Sequence, residues 1–269
     1  MKIGNEIVTA SVLGKRRRMF RIFGDEGKCV VVPLDDNLIS KYNEGLKDLH
    51  GKIKDIQQAK PNGVLCYLGT ASIIDKYEVP IILNLTASTE YKTNTKKILV
   101  STIEQAIAID AAAVAVHVNI SSSYESLMLE NLGAVSEVCQ KYGMPLLVIV
   151  YPRTEYEGKD YNYEDLRKEN EAEYTKLVCH CVRIAFELGA DIIKTQFTGS
   201  AESFSKVVEA ANGTPVLIAG GKMMDENELY AMVSDSIKVG GAGVSIGRNV
   251  FNREDSLEVI ERLRKIVFN

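Results

Sequence analysis

Eight short apolar runs recur along the chain at nearly even intervals, over residues 28–34, 64–68, 80–85, 113–119, 145–150, 190–194, 214–219 and 242–246. A strand with one wet face alternates polar and apolar residues. A run without alternation is covered on both faces, as parallel strands are beneath flanking helices. Between the runs lie segments with helical spacing, over 39–59, 70–77, 101–110, 121–142, 163–188, 203–212, 226–239 and 254–267. Gly143 stops one of them, and Ser101 or Thr102 is expected to cap another with Glu104 near its third position. Eight strand–helix units over about 245 residues predict a closed (β/α)8 barrel rather than an open doubly wound sheet. No Gly-x-Gly-x-x-Gly follows the first run, which weakens a dinucleotide-binding alternative. The whole of 1–269 is expected to be one domain, with 1–26 as an N-terminal helical extension carrying Ile7, Val12, Leu13 and Phe20. The polar stretch 154–162, with Gly158 and several charges, is expected to be a mobile loop.

Charge and cysteine usage narrow the function classes. A net charge of −4 gives no electrostatic case for nucleic acid or an anionic membrane. The one basic cluster, Lys15-Arg16-Arg17-Arg18 with Arg21, reads as a solvated helix face. No apolar run approaches the ~18 residues that span a bilayer, and the start lacks the apolar core of a secretion signal. Five cysteines are an odd number, mostly in apolar surroundings. Cys179-His180-Cys181 would point to different faces of a helix and has no second ligand pair, so no metal is expected there. Reduced thiols in a cytoplasmic protein fit this usage.

In a barrel of this kind, chemistry sits at the C-terminal ends of the strands. Those ends carry Asp35 with Asp36, Tyr67, Asn84, His117 with Asn119, Tyr151 with Arg153, Lys194, Gly220-Gly221 and Gly247-Arg248. Lys194 is the misfit of its run: it either snorkels outward or enters the barrel for chemistry. In a barrel mouth, desolvation and neighbouring cations would lower its pKa. The amine could then attack a ketone or aldehyde and form a protonated imine, an electron sink for C–C bond chemistry. Asp35 and Tyr151 are the right chemical types to move the protons this needs. Each has a plainer alternative. Asp35 or Asp36 would serve as a helix cap, Tyr151 as a rim aromatic with its hydroxyl in water, and His117 as a satisfied rim histidine. Glycines after the last two strands let backbone N–H groups approach an anion that Arg248 can neutralise, which points to a phosphate-bearing ligand. With no zinc-type cluster, the imine route is favoured over a metal-dependent one, and no cofactor is called for.

Read together, Val31-Val32-Pro33-Leu34-Asp35, Val116-His117-Val118-Asn119, Tyr151-Pro152-Arg153, Asp191-Ile192-Ile193-Lys194-Thr195, Ala219-Gly220-Gly221 and Gly243 to Phe251 resemble the archaeal-type class I aldolases. That family holds archaeal fructose-bisphosphate aldolase and 2-amino-3,7-dideoxy-D-threo-hept-6-ulosonate synthase. The likeness runs from about Phe20 to the C-terminus, and the stretches 116–119 and 18–23 are similar to the aminoheptulosonate synthase branch. The resemblance implies a TIM barrel with Lys194 as the Schiff-base residue, Tyr151 as proton donor and Asp35 as general acid/base. It makes Gly220, Gly221, Gly247 and Arg248 a phosphate grip, with Asp36, Asn37, His117, Arg153 and Lys222 facing substrate. It further implies a homo-oligomer that takes a phosphorylated sugar fragment and an aldehyde, L-aspartate semialdehyde among the choices. Fructose-bisphosphate cleavage is the alternative activity, and a barrel that binds sugar phosphates without catalysis is a third reading. Two departures fall beside the substrate. Asp35-Asp36-Asn37 stands where the family reads Asp-His-Gly, and the 154–162 insertion follows Tyr151.

Overall fold

The eight apolar runs close on themselves. In the computed structural model they form strands β1 (Cys29–Pro33), β2 (Gly63–Cys66), β3 (Ile81–Asn84), β4 (Ala113–Ile120), β5 (Leu146–Pro152), β6 (Ile192–Gln196), β7 (Val216–Ala219) and β8 (Gly243–Ser245). Each pairs in parallel with its sequence neighbour, and β8 returns to β1 with Gly243 opposite Cys29 and Ser245 opposite Val31. At that seam a Cβ on Gly243 would lie 1.9 Å from the Cys29 carbonyl oxygen, and its φ of +135° is strained for other residues. The structure describes the backbone of residues 2–3 and 6–7, and residues 9–39, 43–74, 79–92 and 94–269.

The two faces of each strand feed two cores. Val31, Leu65, Ile82, Ala113, Ala115, Leu147, Ile149, Ile192 and Leu217 meet inside the barrel. Val30, Val32, Val64, Cys66, Val148, Val150 and Ile193 face outward under the helices. This period of two settles the direction of the residues that follow. On β6, Ile192 points in and Ile193 out, so Lys194 points into the lumen. On β5, Ile149 points in and Val150 out, so Tyr151 points in. On β4 the same alternation from Ala113 and Ala115 aims His117 inward.

Around the barrel run α1 (Ala10–Phe23), α2 (Leu49–Gln58), α3 (Leu68–Ala71), α4 (Ile103–Ala108), α5 (Glu125–Tyr142), α6 (Glu164–Glu169), α7 (Glu171–Glu187), α8 (Ala201–Ala210), α9 (Glu226–Lys238), α10 (Arg248–Phe251) and α11 (Ser256–Phe268). Helix α1 is capped by Thr9, whose hydroxyl accepts the Val12 N–H, and is stopped at Gly24. Its Ile22 and Phe23 pack onto the inner core, so α1 stoppers the N-terminal end of the barrel. Ile22 is fully buried, and truncating it to Ala would cost about 2–5 kcal/mol.

Several expectations need correction. The N-terminal extension is not helical throughout: Lys2–Ile3 pairs antiparallel with Glu6–Ile7 before Thr9 opens α1. The stretch 39–59 is not one helix. Short 3-10 turns at Asp36–Leu38 and Glu44–Leu46 precede α2, and residues 40–42 lie outside those described. The 70–77 helix is α3, already ended at Ala71, and residues 75–77 lie outside those described. Thr102 does cap α4, but in a reciprocal capping box with Gln105 rather than with Glu104. The segment 163–188 breaks at Asn170, which ends α6 and caps α7 by accepting the Glu173 N–H. The expected mobile loop is an ordered antiparallel ribbon, Thr154–Tyr156 against Lys159–Tyr161. Its two turn residues, Glu157 and Gly158, both take positive φ, the geometry that suits a right-twisted hairpin. Among the described residues, no helix is long and apolar enough to cross a membrane.

Candidate active site

The inward-pointing strand ends converge on a cavity of about 660 Å³ at the C-terminal mouth of the barrel. Lys194, Tyr151, Asp35, Asp36, His117 and Arg153 line it, with Lys222, Gly220, Gly221, Gly247 and Arg248. A second hollow of about 760 Å³ lies against Met19, Phe20 and Phe23 of α1 and gathers none of these strand-end residues. Of the residues singled out in the sequence, Asn37 is not brought to the wall, nor are the strand-end residues Tyr67, Asn84 and Asn119. Asn37 Oδ1 accepts the Asn43 N–H at 3.2 Å, a structural role at the turn after β1.

Lys194 is buried, and burial pushes its pKa below the usual lysine range. The Asp35 charge opposes this, the Arg248 guanidinium adds to it, and the Asp36 charge opposes it. Asp35 follows β1 and precedes a 3-10 turn, yet its side chain makes no capping bond. Instead Asn84 Nδ2, at the end of β3, donates to Asp35 Oδ2 at 2.7 Å. Burial raises the Asp35 pKa, and Lys194 and this hydrogen bond partly offset the rise. The proximity of a depressed amine and a raised carboxyl is the pattern of a proton-handling pair. Asp36 also lines the cavity and accepts from Asn43 Nδ2 at 3.3 Å.

Tyr151 is buried, and burial holds its phenol protonated well above the usual range. Its ring meets His117 edge-on, with centroids 5.1 Å apart and planes at 87°, and Arg153 stands 5.8 Å over its ring centroid. The His117 main-chain N–H donates to Thr86 Oγ1 at 2.9 Å, while its buried Nε2 has no hydrogen-bond partner. Burial, then the charges of Lys97, Arg153 and Lys194, hold His117 neutral far below the usual histidine range. His117 thus stands in the cavity wall as a neutral imidazole with one buried, unsatisfied nitrogen. Arg153 is fixed by Nε donating to Asn162 Oδ1 at 2.7 Å. Tyr67, by contrast, donates its hydroxyl to the Thr86 carbonyl at 3.0 Å and serves the loop after β3.

Across the mouth, the glycine loops after β7 and β8 are drawn into one surface. A Cβ on Gly220 would sit 2.8 Å from the Ile246 side chain, and one on Gly247 would sit 2.9 Å from the Pro33 carbonyl oxygen. Fully buried Asn249 binds the two loops together. Its Nδ2 donates to the Gly220 carbonyl at 3.1 Å and the Lys222 carbonyl at 2.9 Å, and its Oδ1 accepts the Met224 N–H at 3.0 Å. Arg248 opens α10 beside them. Lys222 is exposed at the rim and ion-paired with Glu164 at 2.9 Å.

Sequence reasoning missed Asn249 as a staple, Asn94, Asp160 and Lys97. Lys97 is 2% exposed, with Nζ donating to Ser88 Oγ at 2.5 Å and Asn94 Oδ1 at 3.3 Å. Burial, then the Arg153 charge, lowers its pKa to about 7. Within Asn94-Thr95-Lys96-Lys97 nothing marks one lysine as buried, because the ribbon and β4 that enclose it are remote in sequence. Among the described residues, no group of three or more His, Cys, Asp or Glu is placed to hold a metal ion.

A model of the DeoC/LacD family aldolases matches residues 29–253. The chain is 35% identical over 260 residues to 2-amino-3,7-dideoxy-D-threo-hept-6-ulosonate synthase 1 of Archaeoglobus fulgidus, covering 95% of this chain and 92% of that protein. It is 30% identical over 250 residues to 2-amino-4,5-dihydroxy-6-oxo-7-(phosphonooxy)heptanoate synthase of Streptomyces griseus, covering 91% and 86%. Among solved structures, an archaeal fructose 1,6-bisphosphate aldolase superposes with a TM-score of 0.82 at 27% identity, covering 94% of this chain and 99% of that one. Another archaeal fructose-1,6-bisphosphate aldolase, with its catalytic Lys covalently bound to a carbinolamine intermediate, superposes at 0.80 with 26% identity, covering 95% and 100%.

Proposed function

This chain belongs to the DeoC/LacD aldolase family and is an enzyme of the class I aldolase type, and on that premise we propose that Lys194 forms a Schiff base with a phosphorylated ketose-derived donor and joins it to an aldehyde. The observation that carries this reading is the inward aim of buried Lys194 beside Asp35, with Tyr151 on the neighbouring strand.

Each step asks one thing of the site. The neutral Lys194 amine attacks the donor carbonyl carbon to give a carbinolamine. Protonated Asp35, whose pKa burial raises, gives its proton to the hydroxyl, which leaves as water, and a protonated imine remains opposite the Asp35 carboxylate. The Asp35 carboxylate takes a proton from the adjacent carbon, which gives an enamine and restores the protonated acid. That carbon attacks the aldehyde carbon, and Tyr151 protonates the aldehyde oxygen as the C–C bond forms. Water then hydrolyses the imine, its released proton returns to the Tyr151 phenolate, and the product and the neutral lysine are freed. The donor phosphate lies on the backbone of Gly220, Gly221 and Gly247 with Arg248 as its counter-charge. Asp36, His117 and Lys222 line the same space.

The 35% identity to a synthase whose named product carries an amino group supports an amine-bearing aldehyde, and L-aspartate semialdehyde is the one we propose. Fructose-bisphosphate cleavage is the second reading, supported by the superposition on archaeal aldolases. Reduction with borohydride in the presence of dihydroxyacetone phosphate or a ketose phosphate should add the donor mass at Lys194. An adduct elsewhere, or none, overturns the mechanism. Cleavage of fructose 1,6-bisphosphate at a rate that outcompetes condensation would move the assignment to the second reading. The free cysteines, with Cys29, Cys66, Cys139 and Cys181 buried, support a cytoplasmic setting. The apolar hollow around half-exposed Phe20 supports a homo-oligomer, which light scattering on the purified chain would test.

A further inference from the structure

The wall of the mouth across from the glycine loops is made by two segments that lie on each other, the loop between β3 and α4 and the ribbon after β5. The Asn94 N–H donates to Asp160 Oδ1 at 2.7 Å, and the Thr95 hydroxyl donates to the Glu155 carboxylate. Asn119 on β4 holds the same segment, its Nδ2 donating to the carbonyls of Asn94 at 2.8 Å and Thr95 at 3.1 Å. From behind, the buried Lys97 ammonium fixes the Asn94 side chain. The ribbon is therefore a built part of the cavity.

Two opposite charges in this wall remain uncommitted. Arg153 hydrogen-bonds through Nε alone and forms no ion pair among the described residues. Asp160 gives one carboxylate oxygen to Asn94 and leaves Oδ2 without a hydrogen bond among the described residues. Both residues line the cavity, and the Asp160 charge acts on Arg153 without an ion-pair contact between them. Arg153 and Asp160 meet each other's charge, and Asp160 that of Lys97, only through space, so the hydrogen-bonding atoms they leave open at the cavity are there for a ligand. A cation and an anion side by side complement a carboxylate and an ammonium borne on one carbon. A phosphorylated aldehyde would bring a second negative charge against Asp160, which selects by repulsion as well as attraction.

Resting on the Schiff-base reading above, we propose that Asp160 is the specificity-determining residue of the second-reactant seat: it takes the ammonium of an amino-acid aldehyde whose carboxylate is held by Arg153, and it turns away phosphorylated aldehydes. The donor phosphate, on the far side at β7 and β8, is untouched by this choice.

The test uses D160N, which keeps a side-chain oxygen for the Asn94 N–H and removes the charge. Purified wild type and D160N are first reduced with borohydride and donor alone, to read the adduct at Lys194. Condensation kinetics are then measured with L-aspartate semialdehyde, with succinate semialdehyde, which lacks the amine, and with glyceraldehyde 3-phosphate. The expected result is an unchanged adduct and a loss of about tenfold or more in kcat/KM for aspartate semialdehyde. Succinate semialdehyde should stay within about twofold, and glyceraldehyde 3-phosphate should improve. Equal losses on the amino and amino-free aldehydes, or no loss on either, overturn the proposal. Absence of the wild-type adduct overturns the Schiff-base reading itself, and the seat with it. A D160A variant, which also loses the Asn94 bond, separates wall positioning from charge: its added loss should fall on all aldehydes alike.

Discussion

Lys194 and Asp35 oppose what burial does to each other. Burial lowers the lysine pKa and raises that of the aspartate, and the attraction between their charged forms pulls both back. Removing either charge therefore displaces the other group further from its solution value.

The pH dependence of imine formation follows from this pair. The attacking amine must be neutral, so trapping of the donor at Lys194 should rise with pH through a midpoint below the ordinary lysine value of 10.5. In D35N the opposing negative charge is gone, so that midpoint should move to lower pH even as turnover falls. Mass spectrometry of borohydride adducts across a pH series reads both effects. A midpoint moving upward in D35N would contradict the electrostatics described here.

Replacing Lys194 by Met should abolish the adduct and stabilise the fold. A lysine whose native pKa is depressed binds fewer protons folded than unfolded, so it destabilises the native state at pH values below 10.5. Met fills similar volume without that penalty. A gain of about 1–3 kcal/mol is expected, read as a raised urea midpoint near neutral pH.

Tyr151→Phe keeps the edge-on contact with His117 but removes the proton donor. Trapping of the donor should persist while condensation falls by about 10²–10⁴-fold. Single-turnover measurement from the unreduced enzyme–donor imine, started by adding aldehyde, isolates the step.

Lys97 should impose its own pH dependence on stability. Its pKa falls from 10.5 to about 7 on folding, so the unfolded chain binds more protons between those values. Stability from this group is lowest below about pH 7 and recovers as pH rises toward 10.5. In K97M that slope should flatten, as denaturant midpoints at neutral and alkaline pH would show.

Asn249→Ala removes the staple between the β7 and β8 loops. A stability loss of about 2–4 kcal/mol is expected for three hydrogen bonds of a buried side chain. The KM for a phosphorylated donor should rise more than that for unphosphorylated dihydroxyacetone, since the loops it joins are those assigned to the phosphate.

The barrel was legible because unbroken apolar runs and helix signals agree unit by unit, and because strand periodicity carries from Ile192 to Lys194 and from Ile149 to Tyr151. What escaped were residues whose role depends on remote partners. The 154–162 stretch looks mobile by composition, yet Asn94 and Thr95 order it from 60 residues and more away. Lys97 reads as a solvated loop lysine until Ser88 and Asn94 enclose it. Asn37 stands beside two site residues and was grouped with them, but the 3-10 turn carries it away from the cavity wall. The break at Asn170 was readable in principle, since asparagine is a favoured helix cap.

With Ile22 and Phe23 seated against the inner core, the barrel is a cup rather than a tube. Among the described residues, the way to Lys194 is the C-terminal mouth. On the mechanism proposed above, the donor bound to Lys194 sits deeper than the aldehyde at the ribbon, so it is loaded first and the joined product leaves past the ribbon and the glycine loops.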